Sequence, residues 1–336
     1  MTAIEGVVPE QEAGRELAPK MPPGVLVDGP VVDAKFRDSY ISFAMMILGS
    51  IGALVWAFWQ GIGRVEISVF AGMFMLTTMG IGFMHRYFVH RSYRCGPVMR
   101  TILAAIATMA VQGSILKWVS NHRRHHLHSD KPGDVHSPYY DGFGNRIASF
   151  AKGMGHAQGG WVWDQATTDS EYYARDILAD PIAMFFTRTR WYWYALSAII
   201  IPGGIGYAFG GVHTMIGCVL FSGLFRSYLM TMATSMVNSV CHSDGRWGYR
   251  RYELNDGTTN ELVTTILTFG EGLHNNHHRF PRDAYLSHAW YEIDINGLII
   301  LGLGKLGLVH DIFAAGSRQR GSDGGKSSMP DTEATV

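Results

Sequence analysis

Four stretches of this chain are uncharged, or nearly so, for the length of a bilayer crossing, and no other feature limits its fold so tightly. Residues 41–59 and 67–84 carry no charged side chain. Residues 191–209 carry none either, with Pro202-Gly203-Gly204 inside, and residues 214–237 carry only Arg226. At 1.5 Å rise per residue, a helix of 18–20 residues covers about 27–30 Å, the thickness of a hydrocarbon core. Helices buried in a soluble domain rarely stay uncharged for so long. The expectation is an all-α integral membrane protein whose four transmembrane helices form two hairpins. Two further apolar runs, residues 101–116 and 295–309, are too short or are interrupted by Lys305. They read as interfacial or cap-embedded helices.

Charged residues make up only 17% of the chain, below the roughly 25% usual for soluble domains. The mean hydropathy is nonetheless only +0.04, so a sizeable aqueous part must accompany the spans. With 28 Lys+Arg against 28 Asp+Glu there is no basic field to attract nucleic acid. Three cysteines in 336 residues exclude a disulfide scaffold and point to a reducing compartment. Residues 1–32 and 317–336 are polar and lack the apolar core of a secretory signal, and both read as disordered tails. Between them, residues 33–316 read as one membrane domain, with a cap built from residues 85–190 and 238–316. Of the 28 Lys+Arg, only Arg64 and Arg226 fall outside the cap, the C-terminal tail and the segment before the first span, which holds Arg15, Lys20, Lys35 and Arg37, so 26 lie on one face. The positive-inside rule makes that face cytoplasmic, and both termini lie on it.

The histidines cluster on the same face. His85 and His90 follow the second span directly, and His122, His125 and His126 form an H-x-x-H-H run. Asn238 and His242 close the fourth span, and His274, His277 and His278 form a second H-x-x-H-H run. On an α-helix, positions i, i+3 and i+4 share one side, so each run can point at one site. Nine imidazoles exceed what one tetrahedral zinc needs, whereas two metal ions with four or five ligands each would use them all. Neutral imidazole suits iron, copper, zinc and nickel alike, so ligand type leaves the metal open. No H-E-x-x-H protease motif occurs. The one histidine near a span interior, His213, sits at a hairpin turn, which excludes a bis-histidine haem. His128, His156, His213, His288 and His310 read as ordinary surface or packing residues.

The set HRYFVH, HRRHH, NSVCH and GEGLHNNHH, in this order, resembles the membrane fatty-acid desaturases, specifically their acyl-CoA delta-9, stearoyl-CoA desaturase-like branch. The resemblance covers about residues 40–309. It implies four transmembrane helices under a cytosolic helical cap that holds a histidine-ligated di-iron centre. The implied metal ligands are His85, His90, His122, His125, His126, His242, His274, His277 and His278, with Asn238 reaching a metal through water. Asp134 and Glu271 match carboxylates that would hold the second ring nitrogen of a ligand. Arg226 stands in mid-span as an arginine does in the family, where a structural role beneath the site is implied. Where vertebrate acyl-CoA enzymes carry Arg-Asp, this chain has Ser120-Asn121, which leaves acyl-CoA, acyl-lipid and acyl carrier protein open as the carrier.

The activity so implied is an O2-dependent oxidation that introduces a cis double bond into a long acyl chain. Removing hydrogen from an unactivated methylene pair exceeds any side-chain acid or base, and the cofactor must carry that chemistry. Hydroxylation or acetylene formation on the same scaffold is the rival reading, and a metal carrier is excluded by the single charge in the four spans. Electrons must come from a separate ferredoxin, cytochrome b5 or flavoprotein reductase. Gly302-Leu-Gly304-Lys-Leu-Gly307 does satisfy G-x-G-x-x-G, but no strand–turn–helix unit surrounds it. Aromatics such as Trp118, Trp161 and Trp247 are candidates to line an acyl tunnel.

Overall fold

The computed structural model describes residues 21–316. The C-terminal tail expected over residues 317–336 lies outside the described residues, as do residues 1–20. The N-terminal tail expected to reach residue 32 gives way to ordered chain sooner. Val25–Leu26 pairs antiparallel with Thr167–Thr168, and helix α1 (Pro30–Gln60) starts on a proline, which suits a first turn that needs no N–H.

After α1 come α2 (Arg64–Phe83), α3 (Pro97–Met109), α4 (Ile115–His128) and α5 (Phe150–Gln158). The short α6 (Ser170–Tyr173) and α7 (Arg175–Leu178) lead to α8 (Pro181–Ala195), α9 (Ile201–Gly217) and α10 (Arg226–Ser239). The remainder holds α11 (Leu262–Leu267), α12 (His274–Arg279) and α13 (Ile295–Lys305). Among the described residues, three helical stretches are long and apolar enough to cross a membrane: Pro30–Gln60, Arg64–Val89 and Pro181–His242.

The third stretch is twice the length a bilayer needs, and it is not straight. Gly211 takes φ +68°, a left-handed conformation open to glycine, and the helix turns back there. Its arms then run antiparallel, with Gly203 against Val219, Gly206 against Cys218, and Gly223 against the carbonyl of Ala198. Missing side chains let the two backbones approach closely. π-helical turns over Leu196–Ile200 and Cys218–Phe225 form part of this contact, the first just ahead of Pro202, whose ring cannot join the regular ladder. The α1–α2 link is only Gly61-Ile62-Gly63, so these helices are also antiparallel. His213 Nε2 lies 3.1 Å from Gln60 Oε1, placing both turns at one end of the molecule.

The apolar run over residues 101–116 is not a single helix. Helix α3 ends at Met109, Val111 (φ +60°) and Gly113 (φ +92°) turn the chain, and Ser114 Oγ caps α4 by accepting from the Lys117 N–H at 3.3 Å. Thus the run supplies a short helix packed on α2 and α8, followed by the start of a histidine-bearing one. Phe83, Met84, Phe88, Leu103, Ile115, Phe186 and Ile300 form the core between the end of α2 and helices α3, α4, α8 and α13.

Candidate metal centre

His85 and His90 are five residues apart, a spacing that an α-helix would turn to faces about 140° apart. The chain solves this with a π-helical turn over Met84–Val89, in which the His90 N–H donates to the His85 carbonyl at 3.2 Å. The wider turn brings the two rings to 4.9 Å between centroids.

The two H-x-x-H-H runs do not each serve one site, as their spacing had suggested. His122 and His126 join His85, His90 and His277 in a group of five, while His125, His242, His274 and His278 form a group of four. In both helices the i, i+4 pair stays together and the i+3 ring goes to the other group. Positions i and i+4 differ by about 40° around a helix, whereas i+3 lies about 60° on the other side of i. Each helix therefore straddles the two groups. They abut, with the His126 and His278 rings 4.5 Å apart and His277 and His278 5.5 Å apart. His242 ends a 3₁₀ turn (Val240–His242) rather than a continuous α-helix. Asn238 lies on the wall of a cavity.

The nitrogens converge. Nε2 of His277 lies 3.1 Å from Nε2 of His85 and 2.8 Å from that of His126, which is 2.9 Å from His122 Nε2. In the other group, Nε2 pairs are 2.9 Å apart for His242 and His274 and 3.3 Å for His125 and His278. Burial, reinforced by neighbouring imidazoles, pushes His90, His122, His126, His274, His277 and His278 well below the ordinary imidazole range. His125 falls to about 3 for the same reasons. These rings are neutral, and buried lone pairs aimed at one another repel unless a cation sits among them. Metal–nitrogen bonds of about 2.0–2.1 Å place neighbouring donor atoms about 3 Å apart, the spacing seen here. The donor set fits metal ions.

Carboxylates orient four of the rings from behind. Glu271 Oε2 accepts from His85 Nδ1 at 2.5 Å, and Asp134 accepts from His125 Nδ1 at 2.9 Å. Burial alone would raise the Glu271 carboxyl, but Arg86, His85 and Asn296 outweigh it and hold it at about 2. Sequence reasoning had missed two equivalents. Asp130 accepts from His242 Nδ1 at 2.8 Å and Asp256 from His278 Nδ1 at 3.0 Å. Asp130 and His242 are 112 positions apart, so no local spacing could have paired them. His136 was also missed. It is buried against His125, with a ring-centroid distance of 4.4 Å, and lines the same cavity as Asn238.

That cavity, of about 220 Å³, lies between α1, α4, α8 and α10, with His122, Trp118 and Trp161 on its wall. Trp247 is elsewhere, packed on Phe150 at 5.5 Å. Arg226 is fully buried and neither snorkels nor meets a carboxylate among the described residues. Its guanidinium donates to Thr77 Oγ1 at 2.9 Å, Ser227 Oγ at 3.0 Å and Ser197 Oγ at 3.1 Å, tying α2 and the Leu196–Ile200 turn to α10.

A family model described as fatty acid desaturase matches residues 64–295, a span that takes in every histidine of both groups. The chain belongs to the fatty acid desaturase family. This desaturase is similar to a hex-5-enoyl-[acyl-carrier protein] acetylenase of Moorena producens (strain JHB), 35% identical over 79% of this chain and 82% of the relative. It is 31% identical to an sn-1 stearoyl-lipid 9-desaturase of Anabaena variabilis, over 71% of this chain and 79% of the relative. It is 29% identical to an icosanoyl-CoA 5-desaturase of Limnanthes douglasii, over 82% of this chain and 72% of the relative. The protein is thus an oxidoreductase, a fatty acyl desaturase with apolar helices long enough for a membrane and histidine groups able to hold metal.

Proposed function

We propose that this desaturase holds two iron ions, one in each histidine group, and uses O2 to place a cis double bond in a long acyl chain. The carrier is coenzyme A or a lipid, and the bond position is delta-9. We further read four membrane spans beneath a cytosolic cap, with the active site and both termini on the cytoplasmic face. Electrons come from a separate donor, a ferredoxin, cytochrome b5 or flavoprotein reductase. One observation carries the reading: nine imidazoles in two abutting groups, seven of them held below the ordinary imidazole range by burial, meet the wall of a cavity at His122.

When bound, the iron pair supplies the O2 activation and hydrogen removal that no side chain here can perform. The protein's own part is positioning, since a misplacement of about 1 Å can cost of order 100-fold in rate. Trp118 stacks on His122 at 4.9 Å and 10°, fixing the ring that the acyl chain must pass. Gln112 Nε2 donates to Thr231 Oγ1 at 3.1 Å, pinning α10 to the α3–α4 turn on the cavity wall. Lys35 Nζ donates to the carbonyls of Asp164 at 2.5 Å and Ala166 at 2.9 Å, so it anchors the neighbouring loop and is not free for substrate. Of the pair that departs from the vertebrate pattern, Ser120 is buried and donates to Leu116 O at 2.7 Å, while Asn121 lies on the cavity wall. Asn121 is thus the position where a carrier or acyl head would be met.

A second reading, acetylene formation on an acyl carrier protein, is favoured by the relative named as an acetylenase. Mass spectrometry of acyl chains from cells expressing wild type or His274→Ala tests both, with bond position located. A cis-monoene that disappears in the variant supports desaturation, and an alkyne supports the second reading. Purified wild type should hold about two irons per chain, and His274→Ala should lose iron together with product. A fully active, fully loaded variant would overturn the ligand assignment.

A further inference from the structure

The two histidine groups differ in what stands behind them. In the group of four, three rings are held at Nδ1 by buried carboxylates: His125 by Asp134, His242 by Asp130 and His278 by Asp256, at 2.8–3.0 Å. Among the described residues none of these acids pairs with a lysine or arginine. Their remaining partners are neutral. Asp130 accepts from the Gly257 N–H at 2.8 Å, Asp134 from the Asp130 N–H at 2.9 Å, and Asp256 from the Thr258 N–H at 3.1 Å. In the group of five, only His85 has a carboxylate behind it, and that one, Glu271, is shared with Arg86 Nη2 at 2.9 Å. No carboxylate among the described residues lies within bonding distance of His90, His122, His126 or His277.

A carboxylate on Nδ1–H makes the opposite nitrogen a stronger donor, fixes its tautomer and adds negative charge across a medium of low dielectric constant. Removing one such partner weakens metal binding by about 10–100-fold. Against this, the group of five has one extra neutral imidazole. Two additional acids, both free of any cationic partner, outweigh it.

We propose that the two metal positions are unequal by construction, the group of four being the tight position and the group of five the exchangeable one. Asp130 and Asp256 are the positioning residues that create the difference. The inference rests on the reading of the nine histidines as ligands of two metal ions, and it adds an order of filling and loss. Because His122 of the weaker group lines the cavity, loss of the metal it would hold would also release a ring of the cavity wall. Chelation would then inactivate the enzyme at the stage of one metal per chain.

The test is metal titration of the full-length, detergent-solubilised protein after stripping. Fe2+ is added anaerobically, or Zn2+ in chelator buffers, and bound metal is counted by elemental analysis. Wild type is expected to fill in two steps of one equivalent each, separated by at least about tenfold in affinity. Asp256→Asn keeps a hydrogen-bond acceptor but removes the charge, and should weaken the tight step by about 10–100-fold while leaving the other in place. Asp130→Asn should do the same, providing a second variant if the first folds poorly. Glu271→Gln should weaken only the looser step. A single step of equal affinities in wild type overturns the proposal, as does a uniform weakening of both steps by Asp256→Asn and Glu271→Gln alike. Saturation below two equivalents would instead overturn the two-metal reading itself.

Discussion

Lys117 lies one helical turn before Asn121 on the cavity wall, and its ammonium donates to no acceptor among the described residues. Burial, and then the neighbouring Lys35, push it down to about 8, with Asp38 opposing. Its folded value is below the usual 10.5, so between those values the unfolded chain binds more protons and stability rises with pH. Lys117→Met should therefore raise the melting temperature in detergent at pH 7, with the advantage shrinking by pH 10. An unchanged difference across that range would show the ammonium is solvated rather than buried. Asp134→Asn, which retains shape and an acceptor but not the charge, should lower iron retention by about 10–100-fold. Chelator competition on the purified variant measures this. At this scale the histidines were legible because their spacing is local. The acids Asp130 and Asp256 were not, since each meets its imidazole only when distant segments converge.

At the level of helices, close approach decides what each glycine tolerates. A Cβ on Gly223 would collide with the Ala198 carbonyl, whereas Gly204 has nothing within 4 Å of the place its Cβ would take. Gly223→Val should cost about 1–3 kcal/mol by forcing the arms of the hairpin apart. Gly204→Ala should be neutral or gain about 0.5–1 kcal/mol from helix propensity. Thermal unfolding of the two variants in one detergent compares them directly. The hydropathy pattern located the helices, and it also located the turn near Gly210-Gly211. It did not show that α1 runs on to Pro30, because its first turns carry Asp33, Lys35, Arg37 and Asp38 and fall outside an apolar window. Nor did it show the π turn beneath His85 and His90, which no residue type encodes. The turn exists because it seats both rings.

The molecule as a whole has two unlike ends. Exposed Phe58, Trp59, Tyr207 and Phe209 surround the two hairpin turns, while exposed Tyr40 and Tyr192 mark the other end of the same helices. From Tyr40 to Trp59 is about 28 Å at 1.5 Å per residue, and such aromatic belts sit at the two surfaces of a bilayer. Cysteine placed at Ile62 or Val212 should react with an impermeant thiol reagent in intact cells, and cysteine at Lys152 only after permeabilisation. The reverse pattern would invert the orientation. By itself the sequence determined that the chain is helical, that it has stretches long and apolar enough to cross a membrane and that nine histidines fall in four local clusters, because hydropathy and helical spacing are properties of neighbouring residues. Only the tertiary structure decided how those histidines divide five and four, which acids stand behind them and which of them faces the cavity. Those outcomes depend on where α4, α12 and the ends of α2 and α10 meet, and on segments more than 100 positions apart, as His242 and Asp130 are, coming within hydrogen-bonding distance.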